Sequence, residues 1–224
     1  MNGHWFTLAG ARLEARPSGA LWWPEAGLMA VADLHLGKSE RIARLGGALL
    51  PPYETRDTLA RLDEEIRALA PRIVVCLGDS FDDRAAADSL TEDELLALAG
   101  QMAGRSWIWI AGNHDPGPVD LGGTHLAELP RPPLVFRHIA RARASGEVSG
   151  HYHPKAAVRA KGRQISRPCF LYDADRVILP AFGTYTGGLR CDAPELVRLM
   201  RGEAVAVLTG QAAVPIPMPG LSGR

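Results

Sequence analysis

Apolar residues recur along the chain in three kinds of pattern. Short runs at Trp5–Leu8, Ala11–Glu14 and Leu21–Trp23, separated by Gly, Pro and Ser, predict hairpins that feed a further strand at Leu28–Ala32. Ile73–Leu77 and Trp107–Ala111 are continuously apolar, as expected of strands covered on both faces. Between them Leu59, Leu62, Ile66 and Leu69 fall three or four apart within Thr55–Leu69, the spacing of an amphipathic helix, and Pro71 stands beyond its end. Thr91 and Glu94 have the spacing of a capping box ahead of Leu95, Leu96 and Leu98. After Gly150 the runs shorten to Ala156–Ala160, Gln164–Ser166, Arg176–Leu179 and Val205–Leu208, with Gly and Pro between them. Alternating strands and helices up to Ala111 predict a mostly parallel, helix-covered sheet, and the later pieces predict a second, largely antiparallel sheet packed on it. A chain of 224 residues fits one domain over residues 1–224, with the Pro- and Gly-rich stretch Val214–Arg224 expected to be a loose tail.

Charge changes this picture little at first. Lys plus Arg and Asp plus Glu are both 25, so the zero net charge points globally to neither a nucleic acid nor a membrane. No basic segment followed by an apolar one starts the chain, and no apolar stretch approaches the roughly 20 residues that span a bilayer. A cytoplasmic protein without a membrane partner is expected. The three cysteines are widely spaced, and Cys76, inside a strand-like run, reads as a buried reduced thiol.

The candidate chemistry is concentrated in four fragments that each follow an apolar run or lie near one: Asp33-Leu34-His35, Gly78-Asp79-Ser80-Phe81-Asp82, Gly112-Asn113-His114-Asp115 and Gly150-His151-Tyr152-His153. Four of the seven histidines are in them, and a fifth, His138, ends the run Leu134–Arg137. Ligands of open α/β sheets gather beyond the carboxyl ends of strands, where Asp33, Asp79 and Asn113 are expected. Asp33 and His35 can turn toward one cation. The two oxygens of Asp79 can bind two cations about 3.5–4 Å apart. Asn113 offers a neutral oxygen, and His151 and His153 alternate as in an extended loop. His125 and His138 are the histidines between the third and fourth fragments; His138 is preferred as a ligand, while His125, in Gly-Gly-Thr-His-Leu, reads as helix or loop. Asp82 is open between supporting a ligand and facing solvent. Asp, Asn and His without thiolate suit Mn, Fe or Zn.

These fragments and their order resemble the calcineurin-like metallophosphoesterases. The resemblance implies an α/β sandwich of two packed mixed β-sheets flanked by helices, with Asp33, His35, Asp79 and His153 on one metal and Asp79, Asn113, His138 and His151 on another. It implies His114 as a catalytic residue facing substrate, with Asp115 orienting its imidazole. Two such cations would lower the pKa of a shared water enough to supply hydroxide near neutral pH. Beyond the ligands, Ala32-Asp33-Leu34-His35-Leu36-Gly37-Lys38, Gly150-His151-Tyr152-His153-Pro154, Gly162-Arg163-Gln164, Arg167-Pro168-Cys169-Phe170 and Leu179–Gly188 look like the bacterial ligase-associated DNA damage response phosphoesterases. That likeness implies a metal-dependent DNA endonuclease or phosphodiesterase in DNA repair, beside a DNA ligase and a helicase, and manganese is the metal expected. Phosphoesterase activity on nucleotides or other small phosphoesters is the alternative, and a non-catalytic scaffold is a further one. From Arg131 to Arg167 nine Lys or Arg stand against one acid, Glu147. Such an excess reads equally as a DNA track, with Arg141, Arg143, Lys161 and Arg163 as contacts, or as a solvated edge. Lys38 and Arg41 are further candidates for substrate phosphates.

Overall fold

The computed structural model describes residues 2–47, 50–115, 117, 120–160 and 163–220. Its first sheet takes strands in chain order: β1 (His4–Leu8), β2 (Ala11–Ala15), β3 (Leu21–Trp23), β4 (Leu28–Val31), β5 (Ile73–Leu77), β6 (Ser106–Ile110) and β7 (Thr124–Leu126). Pairing is antiparallel through β4 and parallel from there to β7. Helices α1 (Lys38–Arg44), α2 (Glu54–Leu69), α3 (Arg84–Asp88) and α4 (Glu92–Met102) fill the crossovers between the parallel strands. The capping box expected at Thr91 and Glu94 starts α4, with the Glu94 carboxylate accepting the Thr91 N–H at 2.9 Å.

The second sheet uses β8 (Glu128–Arg131), β9 (Leu134–Arg137), β10 (Glu147–Ser149), β11 (Lys155–Ala160), β12 (Arg163–Tyr172), β13 (Arg176–Ile178), β14 (Val205–Leu208) and β15 (Val214–Pro217). Its order is β15-β14-β12-β13-β10-β9-β8, with β11 paired to β12. It is antiparallel except where β10 runs parallel to both neighbours. A short helix, α5 (Pro194–Leu199), precedes β14.

Strict alternation divides the apolar strands between three cores. Leu28 and Ala30 of β4 and Val75 and Leu77 of β5 face the layer between the sheets, where they join Phe136, Val148, Phe170, Val177 and Val207 of the second sheet. Their alternates Met29, Val31, Val74 and Cys76 pack beneath Leu59, Leu62 and Ile66 of α2 and Leu98 of α4. Cys169, Leu171 and Ala206 turn the other way, toward Leu196 and Met200 around α5. Continuous apolar runs are thus strands with a core on each face.

Two expectations need correction. Val214–Pro217 is not loose: it pairs with β14 from Val205↔Pro217 to Leu208↔Val214, while residues 221–224 lie outside the described part. His125 is neither helical nor in a loop; it lies in β7 opposite Trp109, with the two rings stacked at 6.3 Å between centroids. Cys76 is buried and free, as expected, and the other two thiols, Cys169 and Cys191, lie 3.4 Å apart in the third core.

Candidate metal centre

The four fragments leave their strands at one end of the two sheets. After β4 the chain runs beside the loop that follows β5, with the N–H groups of Asp33, His35 and Leu36 donating to the carbonyls of Gly78, Asp79 and Ser80 at 3.2, 2.9 and 2.9 Å. Among the described residues eight non-glycine positions have positive φ, and five are candidate ligands: Asp33, His35, Asp79, His151 and His153. A left-handed backbone at a residue with a Cβ costs about 1–3 kcal/mol and persists where surrounding structure imposes it, most often at functional sites. Gly112 shows how tightly the loops approach, because a Cβ there would run into the Asp79 amide and carboxylate.

Two groups of side chains converge here, each able to hold a cation. In the first, Asp33, His35 and His153 bring ligand atoms within 4.8 Å of one another. Asp82 Oδ1 lies 2.6 Å from His35 Nδ1, which donates to it and leaves Nε2 with its lone pair free. The N–H of His151 donates to Asp33 Oδ2 at 2.9 Å, so Oδ1 is the free oxygen. Asp33 Oδ1, His35 Nε2 and His153 Nε2 are all buried without a hydrogen-bond partner. Three buried, partnerless polar atoms this close together are costly unless a cation satisfies them, so these residues fit a metal.

In the second group, His138 Nδ1 lies 2.8 Å from the Leu77 carbonyl and donates to it. Its Nε2 then presents a lone pair 2.9 Å from Asn113 Oδ1, 3.2 Å from His151 Nδ1 and 3.4 Å from Asp79 Oδ2. Four acceptors facing one another demand a positive charge between them, a proton or a metal ion. Burial alone would lower the His138 pKa, but Asp79 and Asp33 outweigh it and hold the pKa above its usual value. His151 is shifted down, by burial and then by the charge of His138. Burial would raise Asp79; contacts with His138 and His114 outweigh it and hold the carboxyl at about 2. Asp79 groups with His138 and His151, while its Oδ1 accepts the His114 N–H at 2.9 Å.

The supporting residues differ from expectation at one position. Asp115 does not orient the His114 ring. Its oxygens accept N–H bonds from Asp79 (2.9 Å), Ser80 (2.7 Å), Phe81 (3.2 Å) and Gly112 (3.1 Å), which ties two ligand loops together. Burial and the neighbouring Asp79 charge raise the Asp115 pKa against those four donors. His114 instead donates from Nδ1 to the Asp82 carbonyl at 2.8 Å, leaving Nε2 as its other nitrogen. Asp82, open between two readings in the sequence, is fully buried. Besides His35 it accepts from Lys38 Nζ and Arg41 Nη1, both at 3.1 Å. Burial would raise its pKa; His35 and Lys38 outweigh that and depress it strongly. Lys38 and Arg41 are therefore next to the first metal-ligand group, held by Asp82, with about a fifth and a third of their side chains exposed.

The basic segment is less free than its composition suggests. Arg137 is buried between Glu128 (3.1 Å) and Glu147 (2.9 Å), and Arg141 also meets Glu128 at 3.1 Å. Arg131, Arg143 and Arg167 are exposed, Lys161 lies outside the described residues, and the side chain of Arg163 is not described. Glu147, unremarked in the sequence as more than the lone acid of its segment, is fully buried and also pairs with Arg176 at 3.2 Å. An acid inside a short strand-like run just before Gly150 was the available signal.

A family model described as Calcineurin-like phosphoesterase matches residues 28–178, a span that includes all of these side chains. No curated protein sequence matches the chain. Among solved structures, that of the nuclease MPE of Pseudomonas putida is 27% identical, with a TM-score of 0.76 over 96% of this chain and 100% of that one.

Proposed function

Because the chain belongs to the calcineurin-like phosphoesterase family, we propose that it is a two-metal phosphodiesterase that cleaves DNA. The observation that carries the metal site is the convergence of the partnerless Asp33 Oδ1, His35 Nε2 and His153 Nε2 beside the acceptor cluster of Asp79, Asn113, His138 and His151. Two divalent cations, manganese being our expectation, would supply Lewis acidity that activates water and withdraws charge from the phosphoryl oxygens. In this reading Asp79 is the carboxylate shared between the two groups.

The remaining steps fall to the chain itself. The Asp82 carbonyl accepts the Nδ1 proton of His114, so a ring protonated on both nitrogens can deliver its Nε2 proton to the departing oxygen. Asp115 fixes the loops rather than moving a proton. Lys38 and Arg41, held beside the first group by Asp82, are our candidates for a flanking phosphate, with the exposed Arg143 as a further one. DNA as substrate is supported by the likeness to the P. putida nuclease. A repair setting beside a DNA ligase and a helicase rests on the sequence likeness described at the outset.

The test is hydrolysis of bis-p-nitrophenyl phosphate against p-nitrophenyl phosphate with added Mn²⁺, followed by single- and double-stranded DNA. Preference for the diester together with DNA cleavage is expected. Faster hydrolysis of the monoester, with DNA left intact, would overturn the reading in favour of a small-molecule phosphatase.

A further inference from the structure

Asn113 and His138 open on one side into a groove of about 350 Å³, inside the roughly 300–1,000 Å³ usual for small-ligand sites. It lies between the β7–β8 turn and the chain that leaves β9, and Gly112, Ala127 and Ala140 line it with little side chain. Ile139 stands at its edge with 44% of its surface exposed, an apolar side chain outside all three cores. Arg141 stands beside it and is held at both ends: Glu147 accepts its backbone N–H at 2.9 Å, and Glu128 lies 3.1 Å from its Nη2. The guanidinium is thereby held in place with a carboxylate beside it. A second phosphate entering here would meet the Glu128 carboxylate as well as the guanidinium. A flat heterocycle with polar edges would meet the alanine methyls, the Ile139 side chain and a guanidinium on which it can stack, with Asn113 and Glu128 within the same lining for its polar edge.

We propose that this groove seats the base of the nucleoside attached to the scissile phosphate, so that the site selects nucleoside phosphodiesters over phosphodiesters in general. The inference rests on the reading of the adjoining residues as a phosphodiesterase centre. It also defines the spacing: phosphate against Asn113 and His138, base against Ala127 and Ala140, with Arg141 and Ile139 as its edge.

Calorimetric titration of the Mn²⁺-supplemented protein with thymidine 5′-phosphate, thymidine 3′-phosphate and 2-deoxyribose 5-phosphate tests this directly, with bis-p-nitrophenyl phosphate turnover measured in parallel. One thymidine phosphate is expected to bind at least about tenfold more tightly than the sugar phosphate, a difference of one decade in Kd. Ala127→Trp, a change at an exposed turn position whose indole would fill the groove, should abolish that preference and leave sugar phosphate binding in place. Arg141→Ala should reduce the preference several-fold. Equal affinities for the three ligands, or a preference that survives Ala127→Trp, would overturn the proposal. In either of those cases continuing diester turnover would leave the phosphodiesterase reading intact. Absence of diester turnover in the unmodified protein would sink that reading whatever the titration shows.

Discussion

The two oxygens of Asp79 face different partners, one the His114 amide and the other the Nε2 of His138. Replacing the carboxylate with an amide removes the charge that offsets convergent cations, so Asp79→Asn should lose diester turnover and retain fewer ions. Metal analysis after gel filtration checks this, and two ions per chain in the variant would sink the shared-ligand role. His114→Ala should keep its metals and slow poor leaving groups by a factor on the order of 10² to 10⁴, the reach of general acid catalysis, with nitrophenyl esters affected less. Loss of an ion instead would make His114 a ligand. The second group also predicts a pH dependence. A histidine whose pKa is raised holds its proton to a pH above the usual 6.5, and His138 is so raised while His151 is lowered. Protons should therefore compete for the second cation as pH falls toward and through 6.5, with His138 protonating first. Equilibrium dialysis should show weakening retention over that window; constant retention down to pH 6 contradicts it. The candidate ligands that the structure brings together were legible because each fragment carries its own side chains. The work of Asp115 was not, because its acceptors serve backbone N–H groups some 35 residues earlier in the chain, which leave no mark in sequence.

Elements position the site through backbone, and that can be tested apart from metal binding. Asp115→Ala would strip four N–H donors of one partner, and leaving buried donors unsatisfied costs about 1–3 kcal/mol per group where water cannot replace it. The metal-free variant should unfold at clearly lower urea, by at least ~2 kcal/mol, and bind metal more weakly once refolded. An unchanged urea midpoint would mean that the loops hold their course without it. Strands such as Ile73–Leu77 and Val205–Leu208 were the plainest in the sequence because they carry apolar residues on both faces. Those it did not reveal are short or carry paired charge. β10 is three residues long, and its Glu147 is neutralised by Arg137 and Arg176 from neighbouring strands. α1 and α3 have seven and five residues, too few for periodicity to register. β15 contains two prolines, which read as a tail; it is an outermost strand, where prolines are tolerated.

Across the whole molecule the candidate ligands come from both sheets. Asp33, His35, Asp79 and Asn113 follow β4, β5 and β6, whereas His138, His151 and His153 follow β9 and β10. Between the sheets lies the shared apolar core. The ligands at its end place acceptors of like polarity against one another: His153 Nε2 is 3.4 Å from Asp33 Oδ1, and His138 Nε2 is 3.4 Å from Asp79 Oδ2. Attraction within the core and repulsion at its rim therefore oppose each other until a proton or a cation stands between the side chains of the two sheets. A ligand that binds the folded state alone stabilises it by about 2.7 kcal/mol at a hundredfold excess over its Kd. For a chain of this size each kcal/mol moves Tm by roughly 2–4 °C, so Mn²⁺ should raise Tm by about 5–10 °C over the chelated protein. Asp33→Asn keeps an oxygen for the His151 N–H and takes the negative charge from the first group, so its chelated form should be about as stable as the chelated parent, while its response to Mn²⁺ should shrink. Scanning calorimetry with and without chelator separates the two effects. An Asp33→Asn protein that melts lower than the chelated parent, yet gains as much from Mn²⁺, would place the stabilising ions somewhere other than between the sheets.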